Sequence, residues 1–242
     1  LSPQRGISIM SFFYFIIGAC FGSFIPCFAE RRHKNISQFE RSHCMNCGAP
    51  IAPVYLVPIL GYFFCHGRCT SCHTPIPKLL PCLEIFGGFI GIVLSYQASN
   101  IIHLISQLLI ASVLLLMSLD DYTTQWIHDS DLLVYSIFIL FDTFTFNHLF
   151  WSERILGACI VSLPLLLIHW RFPDALGSGD IIFIALSGFY LGMVDITYAF
   201  LIGIVAALIF SAWQILRHNA TKESTIPLIP FLSLGVLSMM IL

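Results

Sequence analysis

The stretch 102-IHLISQLLIASVLLLMSL-119, followed at once by Asp120-Asp121, decides how this chain is read. It contains no Asp, Glu, Lys or Arg and has the length a helix needs to cross a hydrocarbon layer about 30 Å thick. Because it stops on two carboxylates, the apolar run delivers acid groups to the edge of a bilayer.

Working outward, runs of similar character lie near 10–29, 80–97, 132–148, 154–170, 180–194, 196–216 and 226–242. The run at 180–194 is short, and the last contains Pro227 and Pro230. Composition agrees: 57% of the 242 residues are hydrophobic, 10% are charged and mean hydropathy is +0.88, too little polar surface to cover a water-soluble globule. The predicted fold class is an all-α polytopic membrane protein of about eight transmembrane helices, with a small cytosolic four-cysteine domain between the first and second. The expected plan is a first span over 10–29, a cytosolic domain over 30–79 and a membrane core of about seven helices over 80–242. Met10 is the expected native start, so residues 1–9 are set aside as an upstream extension or expression remnant. The first run is long enough to span and basic residues follow it, so it reads as an anchor with its N-terminus outside and not as a cleavable signal.

Net charge is −2 and gives no basis for nucleic-acid binding. With the loops alternating from an outside N-terminus, Arg31, Arg32, Lys34, Arg41, Arg68, Lys78, Arg171, Arg217 and Lys222 fall on one side, and only Arg5 and Arg154 on the other. That bias assigns the basic side to the cytosol. The loops at 30–79, 120–131, 171–180 and 217–225 are then cytosolic.

Four of the nine cysteines form two C-x-x-C pairs, Cys44/Cys47 and Cys69/Cys72, with twenty-one residues between them. In a reducing cytosol disulfides are disfavoured, and this spacing is that of a four-thiolate zinc site. All four positions of a tetrahedral ion would be filled by protein, so the zinc would be structural. His43, His66 and His73 flank the pairs as alternative ligands. Cys20, Cys27, Cys65, Cys82 and Cys159 lack paired spacing and read as packing residues.

Carboxylates at membrane depth usually carry function. Asp120, Asp121, Asp129 and Asp131 cluster at the cytosolic end of the third run, and Asp180 follows Gly177-Ser178-Gly179 at the cytosolic start of the sixth. The topology puts both groups at one depth. Two carboxylates in contact share a proton, one acting as base on water and the other as acid toward a carbonyl oxygen. Against this stands an ordinary reading of Asp180 as a helix cap favoured by the dipole. The glycines beside Ser178 are expected to allow unusual dihedrals and close backbone approach. Asp120, Asp129 and Asp131 read as solvated loop and cap residues, Asp142 and Asp195 as structural. Glu84, a few residues into the second run, is a candidate for a functional or site-organising role.

These residues together resemble the type IV prepilin peptidases, membrane aspartic proteases of the G-x-G-D kind. The likeness runs through Gly18-Ala-Cys-Phe-Gly22-Ser23-Phe24 with Glu30-Arg31, both cysteine pairs, Pro75-Ile76-Pro77 and Glu84. It continues through Asp121-Tyr-Thr-Thr-Gln125-Trp-Ile-His128-Asp129, similar to the family's D-x-x-x-Q-x-x-P-D segment, then Gly177-Ser178-Gly179-Asp180, and Ile226-Pro227-Leu-Ile-Pro230-Phe231-Leu232. The register selects Asp121 over Asp120. The sequence departs from the family pattern at His128 (usually proline), Pro26 (commonly asparagine) and Ile182 (often lysine).

The resemblance implies hydrolysis of the leader of prepilins or pseudopilins at the cytosolic membrane face through an Asp121/Asp180 dyad. Gly177, Gly179, Glu84, Gly22 and Ser23 would organise site or substrate, and Cys44, Cys47, Cys69 and Cys72 would hold structural zinc. Many family members also methylate the new N-terminus with S-adenosylmethionine, although no glycine motif of the soluble methyltransferases is present here. Size and cysteine pairs are similar to the competence and pseudopilin enzymes, in the bacterial cytoplasmic membrane. The rivals are a transporter with functional intramembrane carboxylates, an assembly protein with a zinc docking loop, and the presenilin-like proteases, whose Y-D motif is a poorer match.

Overall fold

A computed structural model describes residues 3–146, 149–172, 177–217 and 226–242, with side chains from Met10 onward. Lys222, the side chain of Arg5 and most of the 217–225 loop lie outside the described residues. Among those described there is no strand, and the chain is helical as expected: α1 (Pro3–His33), α2 (Leu60–Phe64), α3 (Leu79–Gln97), α4 (Ile101–Thr124), α5 (Asp129–Thr145), α6 (Trp151–Ile160), α7 (Ser162–Arg171), α8 (Ser178–Leu191), α9 (Met193–Leu216) and α10 (Ile229–Ile241). Five stretches, 10–33, 79–97, 101–124, 151–171 and 193–216, are long and apolar enough to cross a membrane. α8 and α10 are apolar but shorter. α5 is 17 residues and carries Asp129, Asp131 and Asp142.

The 151–171 span is two helices because Pro164 lacks an N–H for the Ile160 carbonyl, and its ring crowds that turn. The helix breaks at Val161. α8 and α9 are separated by Gly192 alone, whose φ of 86° suits glycine.

The chain forms two compact units, 1–98 and 99–242. In the first, α1 and α3 interlock through glycines. A Cβ on Gly18 would fall on the Gly87 carbonyl oxygen, and one on Gly22 on the Leu83 carbonyl oxygen. Gly18-x-x-x-Gly22 and Gly87-x-x-x-Gly91 let the backbones approach as in close-packed membrane helix pairs. α1 extends past its apolar run to Arg31-Arg32-His33, cations that suit a helix C-terminus. The Arg31 guanidinium donates to the Gln38 carbonyl at 2.8 Å, tying α1 to the cysteine-bearing segment.

The second unit is built around α4, the most enclosed span. Leu104, Leu108, Ile110 and Met117 of α4 are buried together with Tyr135 and Ile139 of α5, Phe183 and Ile184 of α8, Ile196 of α9, and Ile229 and Val236 of α10. The Tyr135 and Phe183 rings stack with centroids 5.5 Å apart, and the Tyr135 hydroxyl is 2.9 Å from Ser187 Oγ, fixing α5 against α8. Gly157 and Gly188 bring α6 and α8 into backbone contact.

Candidate active site and metal centre

The cysteine-bearing segment is a structural repeat. Cys44-x-x-Cys47-Gly48-Ala49-Pro50 and Cys69-x-x-Cys72-His73-Thr74-Pro75 form the same tight loop. Cys44 N–H donates to Ala49 O at 2.8 Å and Cys69 N–H to Thr74 O at 2.9 Å, with bridges His43/Pro50 and Arg68/Pro75 beyond them. Each loop needs a left-handed residue after its second cysteine, which is Gly48 (φ 70°) in one and His73 (φ 57°) in the other. His73 therefore has a backbone role in its loop.

The loops face each other so that all four sulfurs lie within 4.8 Å of one another, with Cys44–Cys72 at 3.8 Å and Cys47–Cys69 at 4.0 Å. Sulfurs bound tetrahedrally at about 2.3 Å from zinc would lie roughly 3.8 Å apart. The four cysteines can hold a metal ion of that kind. Asn46 Nδ2 donates to Thr74 Oγ1 at 2.8 Å and approaches Cys72 Sγ at 3.7 Å. Hydrogen bonds from Thr74 and then Asn46 pull the Cys72 thiol down to about 5, toward the thiolate a metal needs. Among the remaining cysteines, Cys20 and Cys82 are exposed on span surfaces, so they do not pack inside the protein as expected.

Glu84, in the second turn of α3, accepts Ser23 Oγ–H of α1 at 2.6 Å on one oxygen and the Ile59 N–H at 2.6 Å on the other. Gly22, Ser23 and Glu84 thus meet within the first unit.

In the second unit, Asp121 lies in the last turn of α4, which runs past the predicted end at 119 to Thr124. Thr124 Oγ1 bonds back to Asp120 O at 2.8 Å, and Gln125 closes the helix with φ 54°. The Asp121 carboxylate is buried and accepts the Ile229 N–H at 2.9 Å. The Leu228 N–H also hydrogen-bonds it. Those donors are available because they open α10, where the first-turn N–H groups have no intrahelical partner and Pro227 and Pro230 have no N–H at all.

Asp180 is the third residue of α8. Gly177 is the N-cap, and its N–H bonds the Asp180 carboxylate, a reach-back from the third helical position as in a capping box. The helix-cap reading of Asp180 is therefore correct as far as it goes, and does not compete with placement in a site. The glycines are not in unusual dihedrals: Gly177 has φ −68° and ψ 141°. Their purpose is space. A Cβ on Gly177 would lie 3.1 Å from Asp180 Oδ2, and one on Gly179 3.0 Å from Ile127 Cδ1.

The Gly179–Ile127 approach joins the start of α8 to the connection after α4, and the Asp121 carboxylate acts electrostatically on Asp180. Asp121 and Asp180, 59 positions apart in the chain, are in one neighbourhood at converging helix ends.

Asp120 and Asp131 are not solvated: both are buried, because Asp120 faces into the bundle from α4 and Asp131 from the first turn of α5. With His128, whose Nδ1 is 3.9 Å from Asp120 Oδ2, they put three donor atoms within 4.8 Å of one another. Asp129 is exposed. Asp142 is buried and accepts the Tyr190 hydroxyl at 3.1 Å, with His103 Nε2 at 3.7 Å, in agreement with a structural role. Asp195 is exposed in the first turn of α9. The contact that sequence reading missed is Ile229. Its signal was the proline pair at 227 and 230, which marks a helix start with few donors.

Comparison with known proteins covers both units. Residues 16–98 match the Bacterial Peptidase A24 N-terminal domain, and residues 108–212 the Type IV leader peptidase family. A Klebsiella pneumoniae prepilin leader peptidase/N-methyltransferase is 29% identical over 74% of this chain and 84% of its own. A Bacillus subtilis protein of the same name is 25% identical over 91% and 90%, and one from Aeromonas salmonicida 24% over 81% and 69%. No solved structure is matched.

Proposed function

Because the chain belongs to the type IV leader peptidase family, we propose that it is a membrane aspartic endopeptidase that removes the leader of prepilin or pseudopilin substrates, with Asp121 and Asp180 as its dyad. The observation that carries the assignment is the approach of the connection after α4 to the start of α8 through Ile127 and Gly179, which leaves the Asp121 carboxylate near enough to act electrostatically on Asp180.

The chemistry follows from a shared proton. One carboxylate takes a proton from water as its oxygen attacks the scissile carbonyl carbon, while the other gives its proton to the carbonyl oxygen. On collapse of the tetrahedral diol the second carboxylate takes a proton back from a diol hydroxyl, the C–N bond breaks, and the leaving amine takes the proton that the first carboxylate drew from water, which restores the dyad to one shared proton. The backbone donors of Leu228, Ile229 and Gly177 orient the carboxylates without consuming the dyad proton. A substrate helix held in lipid with its leader in water presents its cleavage point at the boundary, the depth to which apolar α4 delivers Asp121. The distribution of Lys and Arg supports placing this boundary on the cytosolic side of the bacterial inner membrane.

The four cysteines are assigned to structural zinc on their mutual spacing and full coordination. A second, N-methyltransferase activity is proposed for the same chain on the shared name of the three relatives, with S-adenosylmethionine as the methyl donor that the family resemblance implies.

The test is purified chain in lipid with a prepilin-type substrate, with ion flux measured on the same vesicles. Leader removal by the wild type, abolished in Asp121→Ala and Asp180→Ala, supports the proposal. Carboxylate-dependent ion flux without cleavage would establish the transporter reading instead.

A further inference from the structure

Between the cysteine pairs the chain reads 51-IAPVYLVPILGYFF-64, fourteen residues without a charge. That is too short to span and typical of segments that are either buried in a core or lie in the membrane interface. It is not buried. The turn Pro53–Leu56 has no buried residue and α2 only Gly61. Val54, Leu56, Val57, Leu60, Phe63 and Phe64 are between 44% and 65% exposed. Contiguous apolar surface of this kind marks an interaction site.

The Glu84 carboxylate sets the depth of the segment. Ile59 N–H is bound to Glu84 Oε2 at 2.6 Å, and Glu84 lies five residues past the start of α3 at Leu79, about 7–8 Å along the helix axis. α3 is one of the membrane-crossing spans. A segment pinned at that level lies beside the first turns of the span, at the depth of about 5–10 Å that interfacial elements occupy. Ile59 itself has φ 65°, a region β-branched residues avoid, in a tight turn closed by Leu60 N–H to Pro58 O at 2.7 Å. The patch continues into surfaces that face lipid, with Leu79, Phe24 and Phe86 exposed on α3 and α1. Exposed Arg68 and Lys78 border it and can reach headgroup phosphates from the water side.

We propose that Val54–Phe64 is an interfacial docking element whose partner is the headgroup and upper acyl region of the bilayer that α1 and α3 cross. The cysteine-bearing loops then ride on the membrane surface through this apolar foot.

The test uses the full chain in lipid nanodiscs with an environment-sensitive fluorescent amino acid at Phe63, and at Phe39, which is fully exposed, as the aqueous control. Shallow nitroxide lipids should quench the probe at 63, which should resist aqueous iodide several-fold better than the probe at 39. Iodide quenching at 63 equal to that at 39 overturns the proposal, as does protection from both quenchers, which would mean that protein covers the segment. Metal content equal to that of the unlabelled chain identifies folded samples, and Leu60 takes the probe if 63 does not tolerate it.

Discussion

The carboxylate of Asp121 accepts the backbone N–H of Ile229 at 2.9 Å, across 108 positions of sequence. α4 and α10 are thereby joined at the point where chemistry is proposed, and the acid is oriented by a backbone donor that does not titrate.

Asp121→Asn keeps an oxygen for the Ile229 N–H but cannot ionise. Cleavage should fall by about 100- to 10,000-fold, with thermal stability within about 1 kcal/mol of wild type. Parallel melting curves and initial rates check this. A large loss of stability would show that Asp121 is chiefly structural.

A side chain at Gly179 would press on Ile127, whose Cδ1 lies 3.0 Å from where the added Cβ would be. Gly179→Val should depress cleavage, and Ile127→Ala should restore part of it. The double-mutant cycle should show coupling of about 0.5–3 kcal/mol, as expected for residues in contact. Additive effects would mean the two segments do not meet.

Gly18→Leu should loosen the first unit, since even a Cβ collides with the Gly87 carbonyl. Forced separation of close-packed helices costs about 1–3 kcal/mol, readable as faster proteolysis of the 34–78 segment. Ser at Cys20, which is exposed on the same helix, should have no such effect.

Metal content should be close to one ion per chain, and lost in Cys44→Ser and Cys69→Ser. Only deprotonated thiols bind, so the ion is retained at neutral pH and released as pH falls. The hydrogen bond from the Thr74 hydroxyl is the largest of several, with the Thr74 backbone and Asn46, that lower the Cys72 thiol to about 5, so Thr74→Val should raise that thiol and move the release to higher pH. Zinc analysis across an acid titration measures the shift. An unchanged midpoint would remove Thr74 from the account.

The spans were legible because uncharged runs of bilayer length have few alternatives, and the cysteine loops because paired spacing is specific. Less was legible where meaning depends on facing residues. Gly18-x-x-x-Gly22 was visible as a motif, but its partner Gly87-x-x-x-Gly91 gives it a physical reason, and grouping α3 with α1 follows from that pair. Asp120 resembles any acid at a helix end, yet lies one residue round from Asp121 on an inward face. The break at Val161 was hidden because a proline inside an apolar run is common in membrane helices. The glycines of 177–180 were noticed, but as sources of odd dihedrals, whereas each makes room for a named neighbour.

The central claim is that Asp121 and Asp180 work as one unit, and the most direct measurement is leader cleavage by Asp121→Asn, Asp180→Asn and the double variant. Groups that share one step are strongly non-additive. The account predicts that each single change removes nearly all activity and that the double is no worse than either. Full activity in one single variant, or losses that multiply in the double, would contradict it.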